Sequence, residues 1–280
     1  MRRYYWRNLT VFTPRKHEKD IEICDRIIFS KFKLWNSKKK YGQHFLINDL
    51  ISADIASSIK KNTAILEIGP GGGALTKELI KVTKNIKVIE IDRDLNSVLS
   101  ERFPGLEIIN EDFINYELTK IGWKKFSICG NFPYNISTQI LFKIIENNNL
   151  VHEVVGMFQK EVAERICSEP GSKNYGIPSV VVQAFYDCEI LFDVSNDNFK
   201  PKPNVLSSVI RLIRNKKKLN CKYDDFLRIV KVSFSKRRKK IKNALKNFTK
   251  LNKVKDELIL KKRAEELTVN DYVMLTNRLL

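Results

Sequence analysis

From residue 64 the chain alternates short apolar runs with helix-like stretches, and this alternation restricts its fold more than any other feature. AILEIG (64–69) reads as a strand and ALTKELIKV (74–82) as a helix. The pattern repeats through IKVIEID (86–92), LNSVLSERF (95–103) and LEIIN (106–110). It continues with FSICG (126–130), the helix STQILFKIIEN (137–147), the strand EVVGMF (153–158) and the helix KEVAERIC (160–167). Strands that are mostly apolar and separated by helix-length segments build a parallel sheet covered on both faces.

Past EPGSKNYG (169–176), a loop by composition, Ser179 is placed to cap a helix VVVQAFY (180–186). EILFDV (189–194) and SSVIRLI (207–213) then follow with no helix-length segment between them. Two strands joined in this way should pair antiparallel at the sheet edge. Residues 224–280 carry apolar residues at helical spacing, among them Phe234, Ile241, Leu245 and Phe248, and no strand signal. The reading is therefore an α/β domain over 38–215 followed by an all-helical unit over 216–280. Residues 1–37 form a basic extension, either a disordered arm or a misassigned start. Glu18, Asp20, Glu22 and Asp25 within it argue against an organellar transit peptide.

Charge narrows the class of partner. The net formal charge is +19, with 51 Lys and Arg against 32 Asp and Glu. Residues 1–40 hold 12 basic and 4 acidic side chains, and residues 211–262 hold 20 and 4. The body, 41–210, is slightly acidic with 17 and 21. AT-biased coding would enrich lysine everywhere, so it does not account for an acidic middle between basic ends. A polyanion lying against the ends while chemistry occurs in the middle fits this distribution. No apolar run is long enough to span a bilayer. Five cysteines at no metal-ligand spacing read as small core residues in a reducing cytosol, so a cytoplasmic protein is expected, and with three histidines no metal centre is expected.

EIGPGGG (67–73) lies between the first strand and its helix. Gly69 and Gly71 allow a tight turn and close approach of a ligand to the backbone, at a helix N-terminus that favours it. Glu90 ends the second strand, 21 residues after Gly69, where a carboxylate can grip both hydroxyls of a ribose. Asp112, closing the third strand, can accept from an adenine amino group. The fourth strand ends in Asn131, Phe132, Pro133 and Tyr134. An acid after each of strands two and three, then Asn-x-Pro-Tyr after strand four, is the order of an S-adenosyl-L-methionine methyltransferase acting on an exocyclic amine. Asn131 and a backbone carbonyl of the Phe132–Pro133 turn are acceptors for such an amine. Pro133 stiffens the turn. Tyr134 offers a face on which an extruded base can stack.

These stretches resemble the small-subunit ribosomal RNA adenine N6,N6-dimethyltransferase family. The resemblance is carried by KKYGQHFL (39–46), EIGPGGGALT, VIEIDRDL, GNFPYNIST, FQKEVAERI, PGSKNYG, FKPKPNVLSSVIRL and FSKRRKKIKNAL, in that order, with RAEELT (263–268) near the end. It implies a Rossmann-like S-adenosyl-L-methionine methyltransferase sheet, mostly parallel with an antiparallel edge strand, and a small C-terminal all-helical domain. It further implies dimethylation of two adjacent adenines in the 3′-terminal hairpin of 16S-type rRNA. The protein would act as a monomer on a small-subunit assembly intermediate, contributing to ribosome maturation. Cofactor contacts by this resemblance are His44, Leu46, Gly69, Gly71, Glu90, Asp112 and Asn131, although the family often has Asn where this chain has His44. Phe199 would cover the face of the base opposite Tyr134.

The run 234–245 reads as a helix with Phe234, Ile241 and Leu245 on one face. Lys236, Arg237, Arg238, Lys239 and Lys240 lie around the others, as phosphate contacts for a folded RNA. Three other readings stay open at this point. One is a large-subunit rRNA methylase of the macrolide-resistance type. The second is a non-catalytic ribosome-assembly or transcription factor on the same fold. The third is a DNA adenine methylase, although the short tail leaves little room for a sequence-reading domain.

Overall fold

The computed structural model describes residues 43–280 apart from 62, 255 and 256, so the basic extension over 1–37 lies outside the described residues. A two-residue strand β1 (Phe45–Leu46) leads into helix α1 (Asp49–Ser57), capped by the Asn48 side chain. The sheet then builds through β2 (Ile65–Ile68), α2 (Ala74–Val82), β3 (Ile86–Ile89), α3 (Arg93–Arg102) and β4 (Glu107–Ile109). It continues through β5 (Phe126–Asn131), α4 (Ser137–Glu146), β6 (Val151–Gln159), α5 (Lys160–Cys167), α6 (Ile177–Gln183) and β7 (Tyr186–Val194). The short strand β8 (Phe199–Lys200) precedes β9 (Ser207–Arg214).

The seven main strands run in the order β4-β3-β2-β5-β6-β9-β7. All pairings from β4 to β6 are parallel, and β9 is antiparallel to both β6 and β7. The reversed strand is thus second from the edge, slotted between β6 and the outermost β7. All four positions of β2 are buried, as are the first five of β5, which is why their sequences are mostly apolar, with Glu67 and Ser127 the polar exceptions. Strand order reverses between β2 and β5, and such a switch opens a crevice beyond the strands' carboxyl ends. β1 and β8 form a separate antiparallel pair, joining Leu46 to Phe199.

Two local readings are corrected. The helix expected over 180–186 runs instead from Ile177 to Gln183, and Ser179 lies inside its first turn. There the Ser179 hydroxyl accepts from the Gly176 N–H at 2.9 Å and donates to the Arg165 carbonyl. Tyr186 belongs to β7 and sends its hydroxyl to the Val151 carbonyl, 2.9 Å away.

The basic run is not one helix either. Helix α7 (Tyr223–Ser235) stops before it, residues 236–239 turn, and a short α8 (Ile241–Ala244) follows. Five consecutive cations in a helix would stack like charges at i, i+3 and i, i+4, which a turn avoids. Helices α9 (Glu257–Lys261) and α10 (Val269–Leu279) complete the tail. Phe226, Ile229, Tyr272 and Leu275 of the tail join one hydrophobic cluster with Phe126, Ile128 and Val154 of the sheet. The boundary near 216 is one of secondary structure, and the core runs across it.

Candidate active site

Three glycines after β2 hold the left-handed region, with φ of 63° at Gly69, 57° at Gly71 and 83° at Gly73. A Cβ on Gly71 would stand 3.0 Å from the Phe45 ring, and one on Gly69 would stand 3.8 Å from Pro133. The glycine loop therefore touches both β1 and the turn after β5.

Glu90, beyond β3, is buried. One carboxylate oxygen accepts the Gly71 N–H at 3.3 Å and the other accepts the Asp92 N–H at 3.0 Å. Desolvation raises its pKa, against the lowering effect of those two N–H groups. The Glu90 N–H reaches the Ile109 carbonyl, which sets the ends of β3 and β4 side by side. Asp112, just past β4, accepts from the Ile114 N–H at 2.9 Å and from Asn115 Nδ2 at 2.7 Å. Each of these four carboxylate oxygens keeps a further lone pair. A glycine cradle free of side chains, with two acids on adjacent strand ends, fits a nucleoside whose ribose and base need acceptors.

The fourth strand delivers Asn131. Its Nδ2 donates to the His44 carbonyl at 2.8 Å. Phe132, next along, is 1% exposed and packs edge-to-face on Phe158 with ring centroids 5.1 Å apart. A Cβ on Gly130 or Gly156 would fall within 2.8 or 2.3 Å of its ring, so both glycines make room for it. The Phe132 ring is thus the foundation of the turn, and only its backbone is available to a substrate.

Tyr134 behaves differently. It is half-buried, with its hydroxyl 2.5 Å from Ser207 Oγ and its ring stacked on His44 at 5.5 Å and 25°. Burial pushes its phenol pKa up, partly offset by the Ser207 hydrogen bond. His44 is held in turn by a 2.8 Å hydrogen bond from Nδ1 to the Pro201 carbonyl. Leu46 and Phe199, paired across β1 and β8, are both buried, Phe199 at 3% exposure. Phe199 therefore presents no open face to a base in this conformation.

Sequence reading missed three members of this arrangement. Ser207 anchors Tyr134 from 73 residues away, and the Pro201 carbonyl anchors His44 from 157 away. Neither has a local signal. Glu67 on β2 is the third, 1% exposed and bonded by Thr76 Oγ1 at 2.6 Å, with desolvation pushing its pKa up to about 8. An acid inside a fully buried strand was the available clue.

In the tail, Lys236, Arg238, Lys239 and Lys240 are exposed on the turn. Arg237 is instead engaged by the protein, donating from Nη2 to the Lys173 carbonyl at 2.6 Å, with Nε 3.6 Å from Glu265. No helix among the described residues is long and apolar enough to cross a membrane.

Comparison with known proteins identifies the family. Residues 35–279 match the model of the ribosomal RNA adenine dimethylase family. A ribosomal RNA small subunit methyltransferase A of Flavobacterium johnsoniae is 45% identical over 249 residues, 87% of this chain and 95% of its own. That of Cytophaga hutchinsonii is 46% identical, over 87% of this chain and 97% of its own. Among solved structures, a dimethyladenosine transferase from Plasmodium falciparum matches with TM-score 0.72 and 28% identity, covering 83% of this chain and 96% of that one. The 23S rRNA methyltransferase ErmE matches with TM-score 0.65 and 24% identity, over 84% of this chain and 99% of that one, a likeness of fold.

Proposed function

The chain belongs to the ribosomal RNA adenine dimethylase family, and we propose that it dimethylates the N6 amines of two adjacent adenines in the 3′-terminal hairpin of small-subunit rRNA. The observation that carries the reading is Asn131, held at the mouth of the crevice by the His44 carbonyl. Adenine N6 is a poor nucleophile because its lone pair is delocalised into the ring. A site that accepts its N–H bonds favours a pyramidal nitrogen, and Asn131 Oδ1 with the carbonyls of the following turn are acceptors of that kind. Tyr134 has one face against His44, which leaves the other for the base.

S-adenosyl-L-methionine would be held by Gly69, Gly71, Glu90 and Asp112, and when bound it supplies a methyl group on a positively charged sulfur. Gly69 adjoins Pro133, so the cradle and the base-holding turn share a wall. The protein's contribution to rate is then chiefly to hold the amine still and aimed. His44, fixed by its ring and its carbonyl, serves the turn rather than the methyl donor.

The partner is the small subunit during assembly in the cytoplasm, met by the exposed basic turn of a monomer. Relatives named for the small subunit, at 45% and 46% identity, favour it over large-subunit RNA. The test is to incubate the protein with methyl-labelled S-adenosyl-L-methionine and small subunits lacking the modification, then map the labelled nucleotides. Label on two adjacent adenines of the 3′-terminal hairpin is expected. Label in large-subunit RNA overturns the target, and absence of label overturns the enzymatic reading.

A further inference from the structure

The loop over 169–176 belongs to the α/β unit by sequence, yet the helical tail holds it in place. The Gly171 N–H donates to the Glu265 carbonyl at 2.7 Å, and Arg237 Nη2 donates to the Lys173 carbonyl at 2.6 Å. Arg237 Nε lies 3.6 Å from Glu265 Oε2, a buried oxygen that makes no hydrogen bond. Below them, Phe234 lies between Tyr175 of the loop and Tyr272 of α10, at centroid distances of 6.5 and 6.2 Å. The loop is therefore fastened from the tail by a guanidinium, a main-chain carbonyl and a ring.

Arg237 has its charge directed at a carboxylate and one arm on a carbonyl. Its neighbours in the turn, Lys236, Arg238, Lys239 and Lys240, are exposed, as is Lys173 on the loop. A guanidinium engaged by protein on two of its nitrogens has less to offer a phosphate than a free one. It does, however, fix where Lys173 stands, since it grips that residue's own carbonyl.

We propose that Arg237 is a positioning residue, not a phosphate contact. With Glu265 it clamps the 169–176 loop to the basic turn, so that Lys173, Arg238 and Lys239 form one phosphate-binding surface across both units. This rests on the rRNA reading above and adds to it which cation holds the protein and not the phosphates. The clamp also supplies a physical reason for PGSKNYG, FSKRRKK and RAEELT to occur in one chain, because they meet at this point.

The experiment measures the salt dependence of binding to small subunits lacking the modification, with hydrogen exchange of amides 171–175 in parallel. Each phosphate contact removed should lower the log–log slope by roughly 0.7–0.9. Lys173→Gln and Arg238→Gln should each lose about one contact. Arg237→Gln should lose the same amount as Lys173→Gln, and the double variant Lys173→Gln with Arg237→Gln no more than either alone. Exchange at 171–175 should speed up in Arg237→Gln and stay unchanged in Arg238→Gln.

Glu265→Gln gives the opposite sign for the two readings. Removing an acid near a polyanion tightens binding if charge alone matters, whereas loss of the clamp weakens it. Additive slopes for Lys173 and Arg237, or tighter binding by Glu265→Gln, would overturn the clamp. If labelled methyl transfer succeeds while neither Lys173→Gln nor Arg238→Gln alters the slope, this surface is not where RNA binds, and the enzymatic reading stands without it.

Discussion

Asn131 Nδ2 donates to the main-chain carbonyl of His44 across 2.8 Å. A carbonyl can only accept, so the amide must present its NH2 there and turn its oxygen the other way. The orientation of the residue that would hold the target amine is thus set by a main-chain atom 87 residues earlier.

Asn131→Asp tests that relationship directly. The carboxylate keeps the size and the acceptor but loses the donor, and it faces the His44 carbonyl as a like-signed dipole. We expect single-turnover methylation at saturating RNA and cofactor to fall by about 10² or more, because misplacement of this order removes much of the benefit of positioning. Asn131→Ala should be at least as slow. A turnover rate equal to the parent's in Asn131→Asp would show that the bond does not orient the site.

Tyr134 separates ring from hydroxyl. Tyr134→Phe loses the Ser207 hydrogen bond and keeps the stacking face, so it should retain much of the activity. Tyr134→Ala removes a platform worth roughly 1–3 kcal/mol and should lose the methyl-transfer step. Ser207→Ala should resemble Tyr134→Phe, a loss of about 0.5–1.5 kcal/mol, since it deletes the other half of the same bond. Full single-turnover activity in Tyr134→Ala would leave the ring with a structural role only.

Much of this was legible in the chain. The mostly apolar AILEIG before a helical stretch reads as a covered strand, and all four side chains of Ile65–Ile68, one of them an acid, are excluded from solvent. Glu90, Asp112 and Asn131 fall at successive strand ends because a parallel sheet repeats its geometry at each crossover. What failed to show were features set by distant partners. The five cations after Ser235 have helical composition on both sides, but the chain turns there to reach Arg263 through a Lys240 bridge. Phe132 and Tyr134 look alike in a sequence; Gly130 and Gly156 are what admit one ring into the core. Phe199 is expected by resemblance to cover the base opposite Tyr134, but its pairing with Leu46 buries it.

Glu90→Ala should weaken S-adenosyl-L-methionine binding by about 2–4 kcal/mol, the loss of two charge-assisted hydrogen bonds. The same change frees the Gly71 N–H, loosening the cradle in the same direction. Binding to small subunits should be little affected, because the basic turn lies elsewhere in the chain. Isothermal calorimetry on the folded variant checks both halves, and unchanged cofactor affinity would remove Glu90 from the site.

Glu67 carries a pH dependence of stability whose sign follows from its burial. In the folded protein its pKa stands near 8, against an ordinary 4.5, with desolvation the largest cause and the nearby Glu90 charge adding to it. Between those values the folded state holds a proton that the unfolded chain has released. Stability contributed by this proton is complete below about pH 4.5 and is lost as pH rises through about 8, at no more than about 1.4 kcal/mol per pH unit. Glu67→Gln stays neutral throughout and keeps an oxygen for Thr76 Oγ1. The variant should therefore gain on the parent steadily from pH 5.5 to 8.5 in urea unfolding, and equal differences at both ends would mean that Glu67 titrates as an ordinary carboxylate.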